Sequence, residues 1–191
     1  MKVILIGYPG SQFLVPASKY LAQKYLPGFD LHYLNWTGEK DSWSGFVAGY
    51  LTGLQDEFVI FALDDYLISD FIDLSLYQEA LLQFEKDKKL GCAKLCETTI
   101  QEHCDYPVTT QYCIWRREAL ISLLSKTKDP WHFEMTGSAL WREMPWQSVC
   151  ASNPILKYDV HSALSSRWPG EIKWDGIKEE DIEYIKNNNL I

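Results

Sequence analysis

The chain has 191 residues, 47% of them hydrophobic and 14% aromatic, and its 26 acids against 18 bases give a net charge of −8. That length and composition fit one globular domain with a sizeable core, and the acidic balance argues against a nucleic-acid backbone as the main partner. No stretch is long enough to span a bilayer, and the apolar run after Lys2 is cut by Tyr8-Pro9-Gly10 before it reaches the length of a signal-peptide core. The cysteines Cys92, Cys96, Cys104, Cys113 and Cys150 are odd in number and lack the paired spacings of a zinc site, so a reduced cytoplasmic setting is expected.

Val3 to Ile6 reads as a buried strand, closed by the turn Gly7-Tyr8-Pro9-Gly10, and a helix follows around Ala17 to Tyr25. Leu31 to Leu34 is a second predicted strand. The spacing of Phe46, Val47, Tyr50, Leu51 and Leu54 predicts a helix from Trp43 to Leu54, and the apolar run Phe58 to Leu63 predicts a third strand. This βαβαβ opening is Rossmann-like, but its first turn lacks the G-x-G-x-x-G fingerprint, which disfavours NAD. Further on, Leu74, Tyr77, Leu81 and Phe84 mark a helix over Ile72 to Lys88. Short strands are expected at Cys92 to Cys96 and Tyr112 to Trp115, a helix at Glu118 to Ser125, another helix after Gly137-Ser138, and a late strand at Ile155 to Val160. Beyond Trp168 the chain turns polar and ends in Lys186-Asn187-Asn188-Asn189. Residues 169–191 are therefore expected to be a frayed extension or the start of a linker in a longer parent. With no repeat or interior linker, residues 1–191 read as one α/β domain.

The third strand ends in Asp64-Asp65-Tyr66. The C-terminal ends of strands form the rim where α/β sheets bind ligands, so adjacent carboxylates there can meet a hard cation and a phosphate. One of them could instead cap a helix starting near Ser69-Asp70 with the other in solvent, but capping accounts for one acid better than for two. At the first turn, Gly7 and Gly10 would let the backbone approach a ring closely and Tyr8 could stack on a base; an ordinary turn fixed by Pro9 and Gly10 would look the same. Arg116 and Arg117 follow a short strand, where a structural ion pair, with Glu118 or an acid of the metal site, is expected for at least one. Eight tryptophans are compatible with a carbohydrate ligand, whose C–H faces stack on aromatic rings.

Four blocks taken together, Asp41-Ser42-Trp43-Ser44, Leu63-Asp64-Asp65-Tyr66-Leu67, Gln111-Tyr112-Cys113-Ile114-Trp115-Arg116-Arg117-Glu118, and Asp129-Pro130-Trp131-His132-Phe133-Glu134-Met135-Thr136-Gly137-Ser138, resemble small glycosyltransferases of the GT-A fold found in bacterial polysaccharide loci and large algal viruses. The similarity runs from the first strand to about Trp168. It implies a Rossmann-like mixed sheet flanked by helices, a nucleotide-sugar donor, UDP-linked by preference, a glycan or glycoprotein acceptor, and manganese or magnesium as cofactor. The acid motif reads Leu63-Asp64-Asp65 in place of the family's Asp-x-Asp, leaving open which carboxylate touches the metal and which the ribose. The resemblance further implies Asp64 and Asp65 as metal ligands, with Asp65 the first choice, His161 as a completing ligand, and Arg167 reaching the diphosphate. It favours nucleotide contact by Trp43, placed by its position at a helix start on the rim. On the acceptor side an incoming sugar could stack on Trp131, and Glu134 could be the general base of an inverting transfer, with Asp129 next in line; Glu134 could equally be an acid placed favourably at a helix N-terminus.

Two other classes share parts of this pattern. A magnesium-dependent nucleotidyltransferase or phosphohydrolase also uses paired aspartates, but usually with a Gly-rich or basic phosphate loop near the N-terminus, and Gly7 to Gln12 contains no lysine or arginine. A non-catalytic carbohydrate-binding module would need the aromatics and not the acids.

Overall fold

A computed structural model of the chain describes residues 1–97, 105–151, 153–158, 164–165, 168–172, 174 and 176–191. The apolar runs become the strands of one sheet: β1 Lys2–Gly7, β2 Asp30–Asn35, β3 Phe58–Leu63, β4 Leu90–Glu97, β5 Cys113–Arg116 and β6 Gln147–Ala151. Their order is β2-β1-β3-β5-β4-β6. β1 pairs in parallel with both β2 and β3, and β4 with β6, whereas β5 runs antiparallel between β3 and β4. The expected Rossmann-like opening is thus joined to a mixed second half. A separate two-stranded ribbon pairs β7 Leu164–Ser165 with β8 Trp168–Ile172.

Side chains alternate across the strands, so each strand feeds two cores. Val3, Leu5, Ile60, Ala62, Ala93 and Ile114 face one side, covered by α1 Val15–Tyr25, α3 Leu74–Lys86 and α6 Glu179–Asn187. Ile4, Ile6, Val59, Phe61, Cys92 and Trp115 face the other, covered by α2 Trp43–Thr52, α4 Arg117–Leu124 and α5 Pro130–Trp141. The result is a three-layer α/β/α domain. No helix among the described residues is long and apolar enough to cross a membrane.

Local chemistry sets the helix starts. The Asp73 carboxylate accepts from the Ser75 and Leu76 amides, so α3 begins at Leu74, and neither Asp64 nor Asp65 caps it. Asp129 accepts from the His132 amide and Pro130 occupies the first turn, an N-cap and proline pair that starts α5 well before Gly137-Ser138. Trp131, His132 and Glu134 consequently lie inside α5 and not ahead of it. The predicted strand over Ile155 to Val160 is absent from its described part, residues 155–158. Their amides and carbonyls bond to Leu95 and to residues 69 and 73, leaving a single bridge between Ile68 and Tyr158.

The expected frayed tail is a docked helix. Asp181, fully buried in the first turn of α6, accepts from Lys24 Nζ at 2.7 Å, from the Tyr20 hydroxyl at 2.8 Å and from the Tyr25 hydroxyl, all on α1. Tyr184, one turn on, stacks on Tyr20 with centroids 4.4 Å apart. Burial works against the Asp181 carboxylate, but its bonds to Lys24, Tyr25 and Tyr20 outweigh that and hold its pKa below the usual range. Asp181→Ala would leave two tyrosine hydroxyls without their acceptor and Lys24 with Glu180 alone, and is expected to cost about 2 kcal/mol in urea unfolding.

Candidate functional site

The parallel strands β1, β2 and β3 end on one rim, and the backbone there is tied strand to strand. The Asp64 amide donates to Ile6 O at 3.1 Å, and the Trp36 amide to Gly7 O at 3.1 Å. Asp64 is fully buried and Asp65 is 4% exposed. Gly7, last residue of β1, is the reason the first acid fits: a Cβ there would lie 2.8 Å from Asp64 Oδ2 and 3.7 Å from Asn35 Oδ1. A side chain would collide with the carboxylate.

Neither Asp64 oxygen has a hydrogen-bond partner among the described residues. Burial raises its pKa to about 8; the nearby Ser11 hydroxyl, itself bonded to the Tyr8 main chain, opposes the shift, and the adjacent Asp65 charge adds to it. The hydroxyls of Tyr33 on β2 and Tyr112 before β5 are also buried and without partners, and the Asp64 charge helps raise the pKa of both. Asp65 differs in its surroundings: its Oδ2 accepts from the Tyr8 hydroxyl at 3.1 Å. Tyr8 sits in a tight turn closed by the Ser11 amide on its carbonyl, and Gly10 makes room for its ring, since a Cβ at Gly10 would be 3.2 Å from Tyr8 Cε2. The turn therefore orients Asp65 and is no mere loop.

Such a site suits a hard divalent ion. The donors are carboxylate oxygens, two of them buried and unpartnered, and a divalent cation would relieve the repulsion between adjacent acids. Among the described residues no cluster of three or more His, Cys, Asp or Glu could hold a metal. Magnesium-type sites often take one or two carboxylates and complete the shell with substrate phosphates and water. His161 and Arg167 lie outside the described residues.

Beside the acids, reached through Asn35 and Gly7, opens a cleft of about 600 Å³. Asn35, Trp36, Ser42, Phe46, Ser125 and Thr127 line it; neither acid does, and Asp64 approaches it across Gly7, whose Cβ position lies between the Asp64 carboxylate and Asn35. The Trp36 indole donates to Ser42 Oγ, and the Ser44 and Thr127 hydroxyls are bonded at 3.0 Å, so the start of α2 is fixed to the loop before α5. Of these cleft residues only Ser42 falls in a block quoted from the sequence, and none is given a site role there; the available signal is the polar stretch Asn35-Trp36-Thr37-Gly38 directly after a strand, on the rim.

Trp43, placed on that rim by the sequence reading, belongs to the core instead. It is fully buried, packed edge-on against Phe61 and Phe133 at about 6 Å. At the first position of α2 its side chain turns inward under the sheet, where no nucleotide can reach it. Glu134 is brought to the rim: its Oε1 accepts from Thr109 Oγ1, the Thr110 amide and Thr110 Oγ1 at 2.7–2.8 Å, and Thr110 O in turn accepts from the amide of Leu63, just ahead of Asp64. Asp129 serves as the α5 cap. Arg116 and Arg117 are at the far end of the sheet, since β5 ends beside the start of β3. Arg116 pairs with Glu57, and its guanidinium also donates to Phe84 O and Leu90 O, while Arg117 donates to Asp56 O and Leu51 O. Both are structural, with Glu57 as the ion-pair partner in place of Glu118 or an acid of the site.

No protein-family model and no curated protein sequence matches the chain. Solved structures do. A cytidylyltransferase from Leptospira borgpetersenii aligns over 100% of this chain and 95% of its own at 10% identity and a TM-score of 0.50. A197 from STIV aligns over 83% of this chain and 84% of its own, at 11% identity and a TM-score of 0.51. A glycosyltransferase involved in glycosylating the major capsid of PBCV-1 aligns over 79% and 82%, at 12% identity and a TM-score of 0.47. The fold is GT-A-like. At these identities the likeness is one of architecture, and the GT-A-like fold is shared by glycosyl- and nucleotidyltransferases, so the chemistry has to be argued from the site.

Proposed function

We propose that the protein is a metal-dependent glycosyltransferase that moves a hexosyl or deoxyhexosyl group from a nucleoside diphosphate sugar, UDP-linked by preference, to a glycan or glycoprotein acceptor. The observation that carries this reading is the buried, unpartnered Asp64 carboxylate beside Asp65 on the sheet rim, next to a cleft of about 600 Å³. That volume is in the range of small-molecule sites. A divalent ion held by the pair, manganese or magnesium, would neutralise the charge that develops on the leaving diphosphate. Asp65, oriented by the Tyr8 hydroxyl, is the direct ligand, and Asp64 serves the ion or the ribose. The nucleoside lies over the strand ends at Gly7 and Asn35, in the cleft. In an inverting transfer the acceptor oxygen bonds to the anomeric carbon as the carbon–phosphate oxygen bond breaks, and the acceptor proton passes to Glu134. The three bonds on its Oε1 leave Oε2 outside the set and hold the carboxylate still.

The nucleotidyltransferase alternative shares the fold, and the cytidylyltransferase neighbour covers the whole chain. It is disfavoured because the turn after β1 offers no cation to a triphosphate: Tyr8 to Gln12 is neutral, and the turn's polar groups are spent on itself and on Asp65.

A thermal-shift panel of nucleotide sugars and nucleoside triphosphates, with and without manganese, separates the two. Stabilisation by one nucleotide sugar in manganese is expected; stabilisation by a triphosphate alone would favour the alternative. Once an acceptor is known, Glu134→Gln should keep donor affinity and lower turnover about a hundredfold. Loss of a little stability with wild-type turnover would make Glu134 a clamp on Thr109 and Thr110 only.

A further inference from the structure

The outer face of α5 is unusual for a surface helix. Trp131 is 66% exposed and Met135 57%, and with exposed Ala139 they recur every fourth residue, so they form one apolar strip. Eight residues of helix make it about 12 Å long, longer than a single sugar ring. Tyr106, 44% exposed, belongs to the chain laid along α5 by bonds from Ser138 Oγ to Val108 O and from Arg142 Nη2 to Asp105 O. The inner face of the same helix packs Phe133 and Trp141 into the core, so the strip is not left over from a weak core contact.

Position ties the strip to the site. α4 starts where β5 ends, at the far edge of the sheet, and runs back to the rim; the loop after it meets the start of α2 through the Ser44 amide on Lys128 O. The first turn of α5 is therefore on the rim that carries Asp64 and Asp65. Glu134, between Trp131 and Met135 in sequence, is bonded to Thr110, which is bonded to Leu63, the residue before Asp64.

We propose that this strip is the acceptor platform: a glycan of two or more sugars lies along α5, with one ring stacked on Trp131 and the next against Met135, so that its terminal hydroxyl is presented at the rim. This rests on the glycosyl-transfer reading and names its acceptor as an extended carbohydrate in place of a single sugar. Carbohydrate suits the strip because the exposed Trp131 indole offers a large face for the C–H side of a sugar ring, while the exposed Thr136 beside Met135 offers a hydroxyl to the next one.

The test is an array of defined glycans probed with the whole protein in manganese and UDP, using wild type, Trp131→Ala and Met135→Glu, beside sedimentation of each and calorimetry with UDP. Binding of wild type to glycans of two or more residues, weakened about tenfold or more by Trp131→Ala with UDP affinity unchanged, is the expected result. Equal glycan binding by wild type and Trp131→Ala, a blank array while UDP still binds, or a wild-type dimer that Trp131→Ala makes monomeric would overturn the platform. Failure of wild type to bind UDP at all would instead strike the donor reading on which the platform rests.

Discussion

Asp64→Asn should make the metal-free protein more stable than wild type at pH 8, by up to about 5 kcal/mol. Burial, reinforced by Asp65, raises the Asp64 pKa to about 8, whereas an unfolded chain leaves it near the ordinary 3.8. Between those values the folded state binds the extra proton, so stability falls as pH rises. The contribution is fully present below about pH 4 and is lost as pH passes through about 8. Asparagine has the same shape and also buries polar atoms without partners, so the comparison isolates the charge. In EDTA the stability difference between variant and wild type, read from urea unfolding at a series of pH values, should be near zero at pH 4 and widen toward pH 8. A difference that stays flat over that range would show that Asp64 is ionised in the apo protein and has a partner there.

The second large effect is on binding. Asp65→Ala should weaken a nucleotide sugar in manganese by about a hundredfold or more, equivalent to about 3 kcal/mol. Asp65 is 4% exposed and is oriented by Tyr8; with it gone the ion keeps one protein carboxylate, whose own pKa is raised by burial. The fold should survive, because Asp65 follows β3 and contributes no side chain to either core cluster. Calorimetry gives the affinity and circular dichroism the fold. Unchanged affinity would remove the acid pair from the donor site.

Most of the sheet was legible in the sequence because its strands are short apolar runs bounded by turn residues, and β3 falls on the predicted residues Phe58 to Leu63. β6 was missed: Gln147-Ser148-Val149-Cys150-Ala151 is an edge strand, only partly buried, and its apolar run is just the three residues Val149-Cys150-Ala151. The last helix was missed for a related reason. Its inner face carries only two aliphatic side chains, the buried Ile185 and the partly buried Ile182, and its hold on the domain is completed by the buried Asp181, an acid that reads in the sequence as part of a polar tail. α5 starts ahead of the expected Gly137-Ser138 because Asp129-Pro130 supplies an N-cap and a first-turn proline, a local signal that apolar periodicity does not carry.

At the site, the acid pair was legible since two carboxylates after a buried strand need a cause. What the sequence could not give was the direction a side chain takes at a helix start. Trp43 turns into the core, while Trp36, before the helix and only 7% exposed, lines the cleft. Nor could it reveal that Gly7 is required by Asp64 across the β1–β3 pairing, a contact between residues far apart in the chain.

If Asp64 and Asp65 hold a divalent ion together with a nucleoside diphosphate, nucleotide binding depends on the metal. The most direct test is calorimetric titration of UDP into the wild-type protein, once in EDTA and once in manganese. UDP should bind in manganese and lose at least about a hundredfold in affinity in EDTA; equal binding in both would show that the acid pair holds no ion for the nucleotide.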